Sequence, residues 1–253
     1  MPAKRRSRKG AWLALVWLLA PLLLCRGGTA LAYRPFDGTD ADVSPYHEIE
    51  IELGPVGVLQ QGSDRTIIAP AGVFNYGFTP GWEFVAEGDS DHPVTGDSRA
   101  SSLSGNGMFL KHIVRPGVLQ DQPGVSVATE FGVLLPGVNA QPGTGFSVAA
   151  IVSQQWTPIT VHLNINAAET RAGNPDLFVG AIVEGATPWA VRPVAEVYYE
   201  HEFGAAETQS LLIGGIWHAS PSSDYDVGLR TATVNGEHVT EFRAGVTLNF
   251  STS

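Results

Sequence analysis

Three glutamates, Glu48, Glu50 and Glu52, occupy every second position of a run whose intervening residues are Ile49, Ile51 and Leu53. In an extended chain successive side chains point to opposite faces, so the carboxylates line one side and the aliphatics the other. Such a row cannot face lipid or a dry core, because an unpaired buried charge is too costly, but it can face a wet interior. The spacing recurs along the chain. Glu83 and Glu87 oppose Trp82, Phe84 and Ala86, and Glu130 opposes Val127, Thr129 and Phe131. His162, Asn164 and Asn166 oppose Leu163 and Ile165, and Arg192, Glu196 and Glu200 oppose Val191, Val197 and Tyr199. Asp226 and Arg230 share one face, as do Glu241 and Arg243. If these faces converge on one lumen, the carboxylates meet Lys111, Arg192, Arg230 and Arg243 there. Charged rings set ion preference in a pore, so an open lumen of this kind favours cations. The same residues, paired across the space, would equally make an occluded structural network.

Other chemistries find less support. His218-Ala219-Ser220 has the look of a histidine-serine hydrolytic pair, and His162-x-Asn164 of half a triad. A nucleophile and its base need mutual hydrogen-bond reach and a third group to orient them, and no Asn, Asp or Glu stands close to His218 in the local sequence. The seven histidines are scattered singly, so no metal site is expected, and no glycine-rich phosphate cradle calls for a nucleotide cofactor. The chain reads as a non-enzyme without cofactors.

The elements that must position these residues are β-strands. From Gly145 to Asn166 two strands are joined by almost nothing at Trp156-Thr157-Pro158, a hairpin whose arms match the roughly 9–11 tilted residues that cross a bilayer. Further alternating runs bring the total to about twelve strands, one of them turning at Asn235-Gly236. The residues from Gly88 to Asn106 read as a long polar loop, and the adjacent Lys111 and His112 leave the facing of their strand open. The fold class is all-β: a closed antiparallel up-and-down transmembrane barrel over 47–250, followed by a tail at 251–253. Trp82, Trp156, Trp189 and Trp217 fall on the aliphatic face, beside turns that parity places at one end, as an interfacial aromatic girdle would. A soluble sandwich also alternates, but its outer face is usually rich in mixed lysine and glutamate.

Residues 1–32 have the basic head, apolar run and Ala30-Leu31-Ala32 ending of a cleaved signal peptide. Residues 33–46, acidic and irregular, read as a periplasmic segment. Without the leader the chain keeps nine basic residues against 25 acidic ones, with Lys111 its only lysine and no cysteine. That charge repels nucleic acid, and stability must come from the fold rather than disulfides.

With this pattern in view, the chain resembles a bacterial outer-membrane β-barrel family labelled as transporters and as belonging to the meta-pathway of phenol degradation. The resemblance rests on Gly105-Asn106-Gly107 before the Lys111 strand, GVSVATEFGVLLPG from Gly124, His162 to Asn166, Val194 to Tyr198, and the closing Phe242 to Phe250. Two features depart from the family: Met108 replaces an acidic residue after Gly107, and three residues follow the terminal aromatic. The resemblance implies residence in the outer membrane, contact with its lipid, insertion by the barrel-assembly machinery, and a small, hydrophobic or aromatic cargo.

Overall fold

The computed structural model describes residues 34–96, 100–186 and 188–252, so the expected leader lies outside the described residues. The strands are β1 (Glu48–Gln61), β2 (Asp64–Thr79), β3 (Trp82–Pro93), β4 (Ser102–Arg115), β5 (Ser126–Leu134) and β6 (Gly145–Trp156). They continue as β7 (Ile159–Glu169), β8 (Pro175–Gly185), β9 (Val191–Glu202), β10 (Ala206–Ser220), β11 (Ser223–Val234) and β12 (Glu237–Ser251). Each pairs antiparallel with its sequence neighbours, and β1 pairs with β12, so the sheet closes into a barrel with no free edge.

Closure turns the alternation inside out relative to a soluble protein. On β7, His162 and Asn164 are 3% and 4% exposed, whereas Leu163 and Ile165 are 51% and 54% exposed. Val197, Ile213, Val227 and Leu229 also face outward, and Glu196, Arg230 and Glu241 face inward. An apolar outer wall around a charged interior is the arrangement that suits lipid outside and water inside.

Three local readings are revised. The stretch 88–106 is mostly strand, because β3 runs on to Pro93 and β4 begins at Ser102. Its polar residues on both faces hid it: Asp91 accepts bonds from Ser102 and Ser104 across the pair, as suits a ribbon wet on both sides. Lys111 points inward and is 1% exposed, while His112 stacks on Trp82 with ring centroids 4.0 Å apart. The predicted tail starts inside β12, which includes Ser251.

The C-terminal end of β12 lies at the same end of the barrel as the turns at 80–81, 157–158 and 221–222, whereas Arg34, the first described residue, lies inside the lumen against Glu52. At the end bearing these turns Trp156, Trp189 and Trp217 are 57%, 45% and 54% exposed. The β4–β5 connection at this end carries a short 3-10 turn, Val118–Gln120. At the opposite end Asn235 and Gly236 take positive φ angles of 51° and 83°, the backbone of a tight two-residue hairpin. If lipid surrounds this wall, Leu163→Arg should cost roughly 2–4 kcal/mol in a bilayer unfolding titration. A soluble-type surface would absorb the same change with little effect.

Candidate functional site

Residues 34–45, expected outside the barrel in the periplasm, lie within its lumen. The physical reason is hydrogen bonding: an irregular segment has no ladder to satisfy its amides, and the barrel wall offers carboxylates and amides as partners. From the end bearing the turns at 80–81 and 157–158 the segment reaches up past β3, where the Ser44 N–H donates to Glu83. The Ala41 N–H donates to Ser153 Oγ at 2.9 Å, and Gln120 Nε2 of the 3-10 turn donates to the Ala41 carbonyl at 2.9 Å. The Ala41 side chain is 0% exposed, against Ala128, Ala149, Ile151 and Leu119.

Higher up, Asn164 grips Thr39 from both sides, accepting its N–H at 3.0 Å and donating Nδ2 to its carbonyl at 2.8 Å. Lys111 Nζ donates to Thr39 Oγ1 at 3.1 Å and lies 3.7 Å from Asp40. Glu196 then accepts two successive amides, Asp37 N–H at 2.9 Å and Gly38 N–H at 2.7 Å, one on each carboxylate oxygen. On the far wall Arg243 donates to the Pro35 carbonyl at 2.8 Å and to Asp37 at 2.9 Å. Arg34 donates its N–H to Glu52 at 3.1 Å and its guanidinium lies 3.8 Å from Asp226. Phe36 packs on Val194 and Ile216. The wall is relieved where the segment passes: a Cβ on Gly77 would collide with the Ser44 and Pro45 carbonyls, and one on Gly228 would stand 2.9 Å from Pro35.

The residues expected to line the lumen therefore sort into groups. Glu52, Glu83, Lys111, Asn164, Glu196, Asp226 and Arg243 hold the inserted segment. Glu50 and Glu52 share the Asn75 amide at 3.2 and 3.1 Å, and Glu48 sits half-buried at the rim. Arg230 pairs with Glu241 and donates to the Tyr198 hydroxyl, each at 2.9 Å. Arg192 bridges Glu184 at 2.9 Å and Asp224 at 3.3 Å, and Glu184 in turn lies 3.7 Å from His162. Glu87, Glu130, Asn166 and Glu200 line open space above the segment.

That space is a pair of cavities of about 380 and 390 Å3. The first spreads around Arg34 to Thr39, and the second lies toward the other end, near Arg171, Asp176 and Glu202. Both are lined by Asp37, Glu87, Glu130, Asn166 and Glu200, which places these residues where the two spaces adjoin. The predominance of carboxylates gives this region a negative potential that favours cations.

The two hydrolase-like pairs resolve differently from the local sequence. His218 does have an acidic partner, since its Nδ1 lies 2.7 Å from Asp224 Oδ1 across the β10–β11 turn. Ser220, however, bonds Ser223 at 2.7 Å rather than the imidazole, so no nucleophile is activated there. His162 Nδ1 lies 2.8 Å from Ser153 Oγ, but that hydroxyl also receives the Ala41 amide and is 0% exposed, closed to any substrate. Ser153, Glu184, Asp224 and Asn75 were legible by strand parity and overlooked. Arg34, Asp37 and Asp40 belong to no periodic pattern, and nothing local marks them as lumenal.

Neither a family model nor a curated protein matches the sequence. Solved structures do match the fold. An outer membrane channel from Pseudomonas putida F1 superposes with a TM-score of 0.62 at 10% identity, covering 85% of this chain and 100% of that one. The NanC porin gives 0.55 at 8% identity and the KdgM porin 0.54 at 8%, each covering 79% of this chain and 98% of its own. The architecture is that of outer-membrane β-barrel channels.

Two outcomes follow from this geometry. Glu196→Gln keeps one acceptor oxygen but sets an NH2 against the second amide, so amide exchange at Asp37 or Gly38 should quicken by roughly 10-fold or more. Unchanged exchange would show that Glu196 does not hold the segment. Asp42, in the same segment, has its pKa raised to about 6 by burial and by the neighbouring Asp40, against lowering by Gln120, the Val43 amide and Lys111. A carboxyl whose pKa rises on docking stabilises the docked state below its free value of 3.8 and loses that contribution as pH climbs through about 6. Amide protection of the segment, corrected for intrinsic exchange, should therefore fall between pH 4 and pH 7 more steeply than in Asp42→Asn.

Proposed function

We propose that the protein is a bacterial outer-membrane channel for small molecules, closed at one end of its barrel by its own residues 34–45. The observation that carries this reading is the manner of closure. The segment is held by polar contacts through its backbone, and among the described residues it packs only small apolar patches, around Ala41 and Phe36. Bonds of this kind can be exchanged for bonds to water, the neutral ones contributing a net ~0.5–1.5 kcal/mol each and those to charged groups ~1.5–3 kcal/mol. A lumen filled with apolar side chains would lack that option.

The apolar outer wall and the exposed tryptophans at one end support a setting in lipid, with that end toward the periplasm. The three-part leader supports export, and the closing strand supports insertion by the barrel-assembly machinery. The likeness to outer-membrane channels supports the transport role, and the resemblance to the meta-pathway family points to small hydrophobic or aromatic cargo. A closed structural barrel without cargo is the competing reading, favoured by the density of ion pairs such as Arg230–Glu241.

Planar-bilayer recordings on refolded protein separate the two. Deletion of residues 34–45 should raise single-channel conductance several-fold over the full-length barrel, with a reversal potential that favours cations. Silence at every voltage from both forms, each shown folded by heat-modifiable migration, would establish the closed scaffold.

A further inference from the structure

The residues where the two cavities adjoin are ordered by the register of the sheet. Glu130 on β5 is paired across the strands with Ala149 on β6, Ala149 with Asn166 on β7, and Asn166 with Phe178 on β8. Phe178 is paired in turn with Glu200 on β9, and Glu200 with Thr208 on β10. Six adjacent strands thus present one continuous row to the lumen, climbing the wall because the strands of a closed barrel are tilted: carboxylate, methyl, amide, aromatic ring, carboxylate, hydroxyl. Glu87 lines the same two cavities.

Three properties of this row stand apart from the rest of the interior. First, Glu87, Glu130 and Glu200 form no hydrogen bond or ion pair among the described residues, whereas Glu52, Glu83, Glu184, Glu196 and Glu241 all do. Second, Asn166 lines both cavities, and its Oδ1 has no hydrogen-bond partner among the described residues, an acceptor that a rotation of the side chain would present to an N–H or O–H donor. Third, the Phe178 ring lies beside the Tyr198 ring, with centroids 4.9 Å apart, and both line the first cavity with Phe36. Acceptors and aromatic faces in one enclosed space match a single chemistry. An ammonium group supplies positive charge and several N–H donors, and an attached ring or chain supplies apolar area for the aromatic faces.

We propose that this row is a binding site for a primary ammonium ion carried on an aromatic or apolar body. The ammonium sits between Glu200 and Asn166, which flank Phe178 on the neighbouring strands, and the body lies against the Phe178 ring. The proposal deepens the channel reading by naming the class of cargo, and it rests on that reading for the transport step alone.

Calorimetric titration of the full-length refolded barrel in detergent tests it, with phenethylammonium as the ligand and 2-phenylethanol and methylammonium as controls. Phenethylammonium should bind at least ~10-fold more tightly than either control, since one lacks the charge and the other the ring. Glu200→Gln and Phe178→Ala, each shown folded by heat-modifiable migration, should weaken it by a similar factor. Equal affinity for phenethylammonium and 2-phenylethanol, no binding of phenethylammonium, or full binding by folded Glu200→Gln would overturn the proposal. Binding that discriminates in this way from a barrel that never conducts would remove the channel reading and leave the site. Conductance without such discrimination would do the reverse.

Discussion

One carboxylate taking two consecutive backbone amides is the interaction on which the placing of the inserted segment turns. Glu196, projecting from the middle of β9, presents one oxygen to each of the Asp37 and Gly38 N–H groups. Successive amides pointing the same way form a small anion-binding concavity, and a charged acceptor there makes a stronger bond than a neutral one. Removed from such partners, the inserted segment would leave unsatisfied amides in a confined space. With them, a chain of no regular structure is placed as definitely as a strand.

The same constraint accounts for the acidity of the wall. Closure of the sheet directs every second side chain into one lumen, and β-strands engage their own amides in the ladder, leaving side chains as the only acceptors. Glutamates on the wall and amides on the segment are therefore complementary. Arg243 and Lys111 add the converse, cations that reach carbonyls and hydroxyls of the segment. What remains after these pairings are Glu87, Glu130 and Glu200, whose charge is directed into open space rather than spent on the fold. The interior thus divides into a part that holds the segment and a part that lines open space.

The histidines illustrate how one residue type serves different ends in one barrel. His112 faces outward and stacks on Trp82, His162 seals the seat of Ala41 through Ser153, and His218 rests on Asp224 near the β10–β11 turn. Their neighbours decide the matter. A serine two residues from a histidine shares its face in a regular strand, but a register shift between His218 and Ser220 pairs the one with Asp224 and the other with Ser223, on opposite faces.

Strand number, the facing of nearly every charged side chain and the position of the tryptophans were determined by the sequence alone. A period of two is a local property, and the cost of exposing charge to lipid admits only one way to close the sheet. The stretch around Asp89 and Asp91 escaped because a strand wet on both faces needs no alternation. The location of residues 34–45 was beyond local reading for a deeper reason: their partners Glu196, Asn164 and Ser153 are more than a hundred residues away, brought within reach only when the barrel closes. So too with the row from Glu130 to Thr208, whose members are brought side by side by the register of six strands rather than by any spacing along the chain.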